Sequence, residues 1–458
     1  MTAPSKPAPR AGMPWLADQI GERSARGIAR GIAALILDGE MPPGTRMPVV
    51  RDLALALSVS PPTVAEAWAL LRADGLIGPG GGQDTVTLTP PEQSGDDQIR
   101  WETIDLEQGT PDPALLPPLE TALAVAARAR RPAEKAKESI TPGLLAAVVQ
   151  TWPFTPEEWT VVTGGAEGTL VSCQASARRG DAVAVEEPTD PRLLEILRKA
   201  RVRLVPVACD DEGPKPEALA RALARSPVAF HYQPRAQVPR GHSVSAARAA
   251  ELARVLDEHG SATVVVEHDN LGPLATAPGV SIGTHSPARV LHVRSYCAAY
   301  GPELRSCVVA GAAELVHRVR RLSGMTPIPA SRILQDAQAF LIDDPATGLL
   351  LGRAIERYAH RRAALADALR AQGVGVADRD GLFLWVPVPD ETRALVTLAA
   401  TGVSVAPGSP CYPGRSAGNH LRIAISRLPE KPELVADLAA LVALAATGRG
   451  RHKAARGR

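Results

Sequence analysis

Residues 38–88 carry the clearest structural signal in the chain and read DGEMPPGTRMPVVRDLALALSVSPPTVAEAWALLRADGLIGPGGGQDTVTL. A first short helix is predicted from apolar residues at helical spacing, namely Val50, Leu53, Ala54 and Leu57. A serine-rich break follows, in which Ser60 is a favourable N-cap and Pro61 suits the first position of a second helix. The apolar face of that second helix is formed by Val64, Ala67, Trp68 and Leu71. We expect the second helix to end at Gly75, because glycine commonly follows the last helical residue.

A glycine cluster and the residues TVTL follow the second helix and predict a short β-hairpin. Two short helices joined by a tight turn and followed by a hairpin form the outline of a winged helix-turn-helix, which is a DNA-binding fold. An ordinary helical hairpin inside a larger core would show the same bare pattern. The spacing alone therefore leaves both interpretations open.

The residue types of this segment resemble the GntR-type winged helix of bacterial transcription regulators. The resemblance rests on residues 39–48 (GEMPPGTRMP), 51–54 (RDLA), 58–60 (SVS), 63–64 (TV) and 73–76 (ADGL). It covers roughly residues 14–88, and the joint match of these short motifs is specific. A member of this family is expected to bind a double-stranded DNA operator.

The resemblance also implies which residues contact DNA. The matching positions are Arg46, Arg51, Ser60, Thr63, Gly82 and Gln83, of which the last two lie at the tip of the wing. One position departs from the family, which usually has an arginine directly after the serine that opens the recognition helix. That position is Pro61 here, so one favoured base or phosphate contact is missing.

Length and composition indicate a globular protein of more than one domain. The chain has 458 residues, of which 45% are hydrophobic and 22% are charged. The N-terminus has no secretory signal, and no apolar run is long enough for a membrane span. The five cysteines are scattered without metal-ligand spacing, which is typical of a reducing compartment. We expect a bacterial, cytoplasmic protein with no membrane partner and no metal.

Charge supports DNA binding less strongly than the motif does. Residues 1–90 contain eight basic and eight acidic side chains, so the predicted head has no net charge. The nonspecific attraction that basic proteins have for phosphate should therefore be modest. We expect a homodimer to supply the missing affinity, because two heads at a fixed spacing can bind paired half-sites together.

Changes of composition along the chain predict five segments. Residues 15–37 fit the first helix of the winged domain, and residues 89–104 are polar and rich in turn-forming residues. The predicted segments are a disordered N-terminus (1–13), the winged helix-turn-helix domain (14–88), a linker (89–104), an α/β domain (105–446) and a basic tail (447–458). The α/β domain divides into a large part to about residue 345 and a small part at about 350–446. A solvated tail and a tail that touches DNA phosphates are both open.

Short apolar strands alternate with helices after residue 105. Strands are predicted at 159–163, 182–186, 203–207, 228–232, 262–267, 290–293, 307–310, 382–387 and 421–425. Helices are predicted between several of them, at 193–200, 216–224 and 246–259. This alternation predicts an α/β domain with a mainly parallel sheet that is covered by helices.

The α/β domain resembles the fold-type I aminotransferase domain, in which pyridoxal phosphate is the cofactor. The resemblance rests on the glycine turn at 161–166 (VVTGGA) and on residues 237–241 (QVPRG), 294–305 (RSYCAAYGPELR) and 421–423 (LRI). A glycine turn that opens a helix offers free backbone N–H groups to a phosphate. A GntR-type head joined to such a domain is the architecture of the MocR-type transcription regulators, and this resemblance covers nearly the whole chain.

The residues that the family uses to hold and activate the cofactor do not carry over. Ala298 stands where the resemblance places the Schiff-base lysine. His268 stands at the carboxylate that protonates the ring nitrogen, and Asn270 at the tyrosine that bonds the ring hydroxyl. Asp190 replaces a further tyrosine, and Asp269 is expected on the opposite side of its strand. We therefore predict that pyridoxal phosphate is not a cofactor and that the protein is not an enzyme.

Arg305 and Arg422 are retained at positions that bind anions in the family, while Arg294 stands where the family usually has glycine. A retained anion-binding role and a structural role beside a buried carboxylate are both open for Arg305 and Arg422. If the cleft senses a small ligand, that ligand should be anionic, and the candidate contacts are Arg294, Arg305, Arg422 and His268. The alternatives to a pyridoxal phosphate-independent regulator are a divergent aminotransferase-like enzyme, a regulator that responds to pyridoxal phosphate, and a dimerisation scaffold with an empty cleft.

Overall fold

The computed structural model describes residues 13–37, 40–41, 45–73, 76–80, 83–86, 104–129, 138–323, 330–414 and 418–447. The chain separates into two compact units. The first comprises Met1–Glu107, Val388–Pro407 and Ala440–Arg458, and the second comprises Gln108–Pro387 and Gly408–Ala439.

The first unit begins with the predicted winged helix-turn-helix. Its elements are α1 (Met13–Gln19), α2 (Ala25–Leu37), α3 (Val50–Leu57), α4 (Pro61–Ala73), β1 (Ile77–Gly80) and β2 (Gln83–Val86). The two helices α3 and α4 form a bent pair with an angle of 117°, as expected for a helix-turn-helix. β1 and β2 pair as an antiparallel hairpin, which is the wing.

The predicted apolar faces of α3 and α4 pack into one hydrophobic core with α2. Its members include Ile28, Ile32, Leu53, Ala54, Leu57, Val64, Ala67, Trp68 and Leu71. Ser58 ends α3 in the left-handed region with φ 54°. Ser60 then caps α4, because its Oγ accepts a hydrogen bond from the backbone N–H of Thr63 at 3.4 Å. The segment is therefore a helix-turn-helix and not the ordinary helical hairpin that the sequence pattern also allowed.

One helix predicted over residues 15–37 is two helices in the structure, α1 and α2. The break has a local cause, because Ser24 Oγ accepts a hydrogen bond from the backbone N–H of Gly27 at 3.0 Å and so caps α2. Met13, predicted as part of the N-terminal tail, begins α1. Residues 1–12, most of the predicted linker (89–103) and residues 448–458 of the predicted tail lie outside the described residues.

The rest of the chain alternates between helices and strands. The helices are α5 (Glu120–Arg128), α6 (Pro142–Val149), α7 (Gly165–Ser176), α8 (Pro191–Lys199), α9 (Pro216–Leu223), α10 (Ala246–His259), α11 (Cys297–Tyr300), α12 (Ala313–Ser323), α13 (Arg332–Asp343), α14 (Pro345–Ala371), α15 (Glu391–Ala399) and α16 (Pro432–Thr447). The strands are β3 (Ile104–Leu106), β4 (Glu158–Val162), β5 (Ala182–Glu187), β6 (Arg203–Asp210), β7 (Gly213–Pro214), β8 (Ala229–Tyr232), β9 (Val264–Asp269), β10 (Val290–Ser295), β11 (Cys307–Gly311), β12 (Phe383–Pro387), β13 (Val403–Pro407) and β14 (His420–Ala424).

Eight of the described strands form one sheet in the second unit, in the order β4-β11-β10-β9-β8-β5-β6-β7. The central pairs β10–β9, β9–β8, β8–β5 and β5–β6 are parallel. β11 is antiparallel to both of its neighbours, and β7 is antiparallel to β6. Strands such as β5 are buried along nearly their whole length because helices cover both faces of the sheet. The prediction of a mainly parallel α/β sheet is confirmed.

The first unit contains a segment from late in the chain that the sequence did not predict. β13 pairs in parallel with β3, so Ile104 belongs to a strand and not to the predicted linker. Val396 of α15 is buried in the same hydrophobic cluster as Ile28 and Trp68 of the head. The compact unit that contains the winged head is therefore larger than the predicted domain 14–88.

No single described helix is long and apolar enough to cross a membrane, although the bent pair of α3 and α4 reaches that length and composition jointly.

Candidate functional site

The residues predicted to contact DNA lie on the surface of the winged head where the structure describes them. Arg46, Arg51 and Ser60 are exposed, and Thr63 is half-buried. The hydroxyl of Thr63 lies 2.7 Å from that of Ser60, so the two side chains are tied together at the start of α4. Gly82 lies outside the described residues, and Gln83 opens β2 as the first residue after the wing turn.

The corner that the resemblance assigns to the cofactor phosphate is intact in the second unit. Gly164 precedes α7 with φ +96°, a conformation that favours glycine. A Cβ atom on Gly165 would lie 2.8 Å from Oγ of Ser295, and one on Gly164 would lie 3.7 Å from Cα of Arg305. The free N–H groups of α7, the Ser295 hydroxyl and the backbone of Arg305 therefore meet in one place, and the Arg305 side chain is exposed.

A carboxylate also lies at this phosphate corner. Glu167, in the first turn of α7, accepts hydrogen bonds from the backbone N–H of Thr163 at 2.5 Å and from the Thr163 hydroxyl. A negative charge is favourable at a helix N-terminus. An anionic ligand would therefore compete with Glu167 for the positive end of α7.

Ala298 lies in the short helix α11, next to this corner, and is half-buried. Its neighbour Cys297 is close to the glycine turn, because a Cβ on Gly164 would lie 3.6 Å from its Sγ. Ala298 is therefore in the region expected for the Schiff-base residue. Its methyl group has no amine, so covalent attachment of pyridoxal phosphate at this position is chemically excluded.

His268, at the position of the ring-nitrogen carboxylate, ends a chain of buried hydrogen bonds. Its Nε2 lies 3.0 Å from Nδ1 of His231. Nε2 of His231 in turn lies 3.0 Å from Oγ of Ser176, and the Ser176 hydroxyl donates to the carbonyl oxygen of Cys173 at 3.1 Å. His231 and Ser176 were not predicted from the sequence, although a histidine inside the apolar strand β8 was a visible signal.

The direction of this chain fixes which nitrogens carry protons. Because the only hydroxyl proton of Ser176 goes to Cys173, Nε2 of His231 donates to Ser176, and Nδ1 of His231 accepts from His268. His268 Nδ1 is then a bare acceptor, and it is buried with no hydrogen-bond partner among the described residues. Burial and the charge of His292 lower the pKa of His268 to about 3. His268 is therefore neutral and lacks the negative charge that a protonated pyridine ring requires.

Asn270 and Asp190, which stand at the other two positions that contact the cofactor ring in the family, are hydrogen-bonded to each other. Nδ2 of Asn270 donates to Oδ2 of Asp190 at 3.4 Å and to Oε1 of Gln233 at 3.5 Å. Asp190 also caps α8 by accepting from the backbone N–H of Arg192 at 2.9 Å. Burial raises the pKa of Asp190 despite the nearby charge of Arg422. These polar groups are thus satisfied within the protein and need no ring hydroxyl.

Arg294 was predicted as a ligand contact, but the structure gives it a different role. Its Nε lies 2.7 Å from Oδ2 of Asp269, its Nη1 donates to Thr151, and its guanidinium lies 4.6 Å from the ring centroid of Trp152. It is 2% exposed, so it is a core residue and does not line the cleft. The reason is the strand register, which places Arg294 of β10 directly beside Asp269 of β9.

Asp269 has a second arginine partner and points away from His268. Arg235 binds it through two hydrogen bonds of 2.9 Å and 2.8 Å. Burial raises the pKa of Asp269, but the neighbouring His292, whose Nε2 lies 3.6 Å from Oδ2, and the charges of Arg294 and Arg235 outweigh burial and hold the pKa well below its usual range. Asp269 is therefore a structural anion and cannot replace the lost ring partner.

Arg422 lies on β14, half-buried, with its guanidinium 4.7 Å from the ring centroid of Phe383 on the neighbouring strand β12. Its charge reaches Asp190, whose pKa it lowers in part. Arg422 therefore belongs to the region of the replaced ring positions, whereas Arg305 belongs to the phosphate corner.

Family models match both parts of the chain. Residues 24–85 match bacterial regulatory proteins of the gntR family, and residues 109–435 match aminotransferase class I and II. The chain belongs to the aminotransferase class I and II family and, with its GntR-type head, has the MocR-type architecture. The predicted architecture and fold class are confirmed.

Several relatives of the same architecture are transcription regulators. The chain is 31% identical over 432 residues to the vitamin B6 salvage pathway transcriptional repressor PtsJ of Salmonella typhimurium, covering 92% of this chain and 98% of that protein. It is 24% identical to the pyridoxine biosynthesis transcriptional regulator PdxR of Corynebacterium glutamicum, covering 88% and 90%. Among solved structures, a kynurenine aminotransferase of Pyrococcus horikoshii superposes with a TM-score of 0.67 at 21% identity, covering 74% of this chain and 91% of that one. This last likeness concerns the fold alone.

Proposed function

We propose that this protein is a sequence-specific, DNA-binding transcription regulator that acts as a homodimer in the bacterial cytoplasm and catalyses no reaction. The observation that carries the proposal is the combination of a winged head with exposed Arg46 and Arg51 and an aminotransferase-like domain with Ala298 at the lysine position. The regulators PtsJ and PdxR, which match this chain over most of its length, support the same reading.

The absence of catalysis is supported by the end of the cleft where the pyridoxal ring would lie. We call this part the ring end, and its residues are Ala298, His268, Asn270 and Asp190. An amine, a ring-nitrogen carboxylate and a ring-hydroxyl partner are the groups that pyridoxal phosphate chemistry takes from the protein. All three groups are replaced here, by Ala298, by the neutral His268 and by Asn270, which is hydrogen-bonded to Asp190. The residues present therefore do not fit the cofactor as aminotransferases hold it.

The cleft can still bind an anion. The N–H groups that open α7, the Ser295 hydroxyl and Arg305 meet at the phosphate corner. The N–H groups and the hydroxyl offer hydrogen bonds, and the exposed side chain of Arg305 can supply a positive charge, which suits a phosphate or carboxylate. We propose a small anionic ligand other than pyridoxal phosphate. To regulate, this ligand must bind the DNA-competent and DNA-incompetent states with different affinities.

A second candidate is a regulator that senses pyridoxal phosphate without a covalent bond. The retained phosphate corner favours it, and so do the names of PtsJ and PdxR, which concern vitamin B6. The two candidates differ in one measurement. Only the second expects micromolar pyridoxal phosphate to change operator affinity while the absorbance spectrum stays that of the free aldehyde.

Homodimerisation supplies the affinity that the uncharged head lacks. Residues 1–90 have eight basic and eight acidic side chains, so a single head should bind DNA weakly. Joining two heads makes the second contact intramolecular, which raises avidity by roughly two to four orders of magnitude. Sedimentation of the full-length chain should therefore show a dimer, and a monomer at micromolar concentration would contradict this part of the proposal.

The DNA-binding proposal is tested with the full-length protein and duplexes selected from a random pool. Arg51→Ala should weaken binding to every duplex and lower the slope of log affinity against log salt by about one unit, because one phosphate contact is lost. Arg254→Ala, which removes an exposed arginine on α10 of the second unit, is the matched control and should change neither quantity. If Arg51→Ala also changes neither on the selected operator, the placement of α3 on DNA is wrong.

A further inference from the structure

The recognition helix α4 has an unusually apolar outer face. Pro61, Pro62, Ala65 and Ala69 are exposed, and the exposed polar side chains of the helix are Glu66 and, in the last turn, Arg72. The inner face is fully used by the core, in which Val64, Ala67, Trp68 and Leu71 are buried. The surface available to a partner on the first two turns is therefore made mainly of proline rings and alanine methyl groups.

This outer face continues into a shallow hollow between the two helices of the motif. The hollow has a volume of about 720 Å³ and is lined by Val49, Val50, Arg51, Pro61, Pro62 and Ala65. Val49, 45% exposed, adds a further large apolar side chain to the surface. Arg51 provides the only positive charge of this lining, so an apolar partner with an adjacent negative charge would complement it.

The chemistry of the major groove limits what such a face can read. Guanine is read by arginine or lysine, and adenine by asparagine or glutamine, whereas thymine alone presents a methyl group to apolar side chains. The residues of α4 before Arg72 include no arginine, lysine, asparagine or glutamine. Glu66 can accept a hydrogen bond from cytosine but would repel phosphates. A phosphate next to a thymine matches both Arg51 and the apolar lining.

We propose that the head recognises its operator by contacts of Pro62, Ala65 and the neighbouring apolar side chains with thymine C5-methyl groups, in place of an arginine contact to guanine. This inference rests on the proposed DNA-binding function and specifies which base chemistry the head reads. Pro61, at the position where an arginine is expected, is then part of the reading surface and not merely a lost contact.

The test uses the full-length protein and an operator selected from a random duplex pool. Each thymine of the selected half-sites is replaced in turn by uracil, which keeps the base pair and its O4 acceptor and removes only the methyl group. Affinity should fall by about fourfold for each contacted thymine, which corresponds to the burial of one methyl group. Uracil at thymines outside the half-sites should leave affinity unchanged.

Two variants separate base reading from phosphate binding. Ala65→Ser places a polar group on the same face, so at least one contacted thymine should lose its sensitivity to uracil. Arg51→Ala should weaken binding to thymine and uracil duplexes by the same factor. The ratio of the two affinities should therefore stay as in the parent protein. A ratio that shifts with Arg51→Ala but not with Ala65→Ser would overturn the assignment of these residues.

The outcomes distinguish this inference from the function on which it rests. Selection of thymine-containing half-sites with uracil sensitivity supports both. A selected operator that binds with equal affinity after every thymine is replaced overturns thymine reading and leaves DNA binding intact. Failure of the pool to enrich any duplex overturns the proposed function and the inference together.

Discussion

The phosphate corner and the ring end of the cleft have changed very differently, although they belong to one site. At the phosphate corner, the glycine turn and Arg305 match the aminotransferase pattern, and the Ser295 hydroxyl and the Arg305 backbone lie beside the turn. At the ring end, Ala298, His268, Asn270 and Asp190 all depart from that pattern. The corner that depends largely on backbone N–H groups matches the pattern, and the end that depends on side chains does not.

The difference has a physical reason. The glycine turn opens α7, which also packs against the sheet through Val171 and Ala175, so a change there would damage the core as well. Side chains at the ends of parallel strands have no such role in packing the core. At the ring end these side chains have hydrogen-bond partners within the protein, because His268 bonds His231 and Asn270 bonds Asp190. The two ends of the site therefore differ in how far their residues match the aminotransferase pattern.

The largest effect is expected from removing the anion behind the ring end. Asp269→Ala should lower the free energy of unfolding by about 3–5 kcal/mol, because Arg294 and Arg235 would be left as buried, uncompensated charges. Urea denaturation monitored by circular dichroism measures it. Asp257→Ala removes the exposed partner of Arg289 and should cost less than about 1 kcal/mol. Equal losses in the two variants would mean that the ring-end network is not structural.

The next effect is a loss of stability in acid that comes from the histidine chain. The unfolded pKa of 6.5 falls to about 3 for His268 in the folded protein, and burial also lowers the pKa of His231. Between these values the unfolded chain binds protons that the folded chain does not. The stabilisation from His268 is therefore complete above about pH 6.5 and is lost as the pH falls toward 3, by about 1.4 kcal/mol per pH unit.

His268→Gln should reduce the slope of unfolding free energy against pH by about 1.4 kcal/mol per pH unit between pH 6.5 and 4.5, which is the contribution of one histidine. His259→Gln, at the exposed end of α10, is the matched control. A slope that is the same in the parent protein and in His268→Gln would show that His268 is not a buried neutral base, and would weaken the contrast between the two ends of the cleft.

The sequence predicted the scaffold well and the replaced ring end only in part. Strands such as β5 and β6 were predicted because their apolar runs are long and their flanks are clear. The absence of the lysine at Ala298 was also visible. What could not be seen is which distant residues pair, because that depends on strand register. His231 and His268 are 37 positions apart, and Arg294 meets Asp269 only through the parallel pairing of β10 and β9.

The head shows the same limit. The pattern of α3 and α4 predicted their faces, because those faces pack against each other and against nearby α2. The burial of Val396 of α15 in this core could not be predicted, since a single valine in a late amphipathic helix does not indicate its partner. Long-range packing is not contained in local periodicity.

A smaller effect, about tenfold in ligand affinity, is expected at the retained end. Arg305→Ala removes a charged hydrogen-bond donor from the phosphate corner and should weaken phosphate-containing ligands more than their dephosphorylated forms. Pyridoxal phosphate and pyridoxal are a suitable pair of probes for calorimetry. Operator binding without ligand should be unchanged in Arg305→Ala and in Arg422→Ala, whereas the ligand concentration needed to change operator binding should rise by about tenfold. If both variants respond to the ligand as the parent does, the cleft is only a scaffold.

The smallest expected effect is that of restoring the lysine alone. The parent protein mixed with pyridoxal phosphate should show no Schiff-base absorbance band and no adduct after borohydride reduction. Ala298→Lys supplies an amine in the right region, but the neutral His268 cannot stabilise a protonated ring, and Asn270 remains bonded to Asp190. We therefore expect Ala298→Lys to stay close to the parent in cofactor affinity.

A triple variant provides the positive control for this last comparison. Ala298→Lys combined with His268→Asp and Asn270→Tyr restores the amine, the carboxylate and the ring-hydroxyl partner, and the retained phosphate corner is already present. Tight binding with a visible band is expected only in the triple variant. If Ala298→Lys alone binds as tightly as the triple variant, the ring end has kept its chemistry through groups other than His268 and Asn270. The contrast between the two ends of the cleft would then reduce to one missing amine.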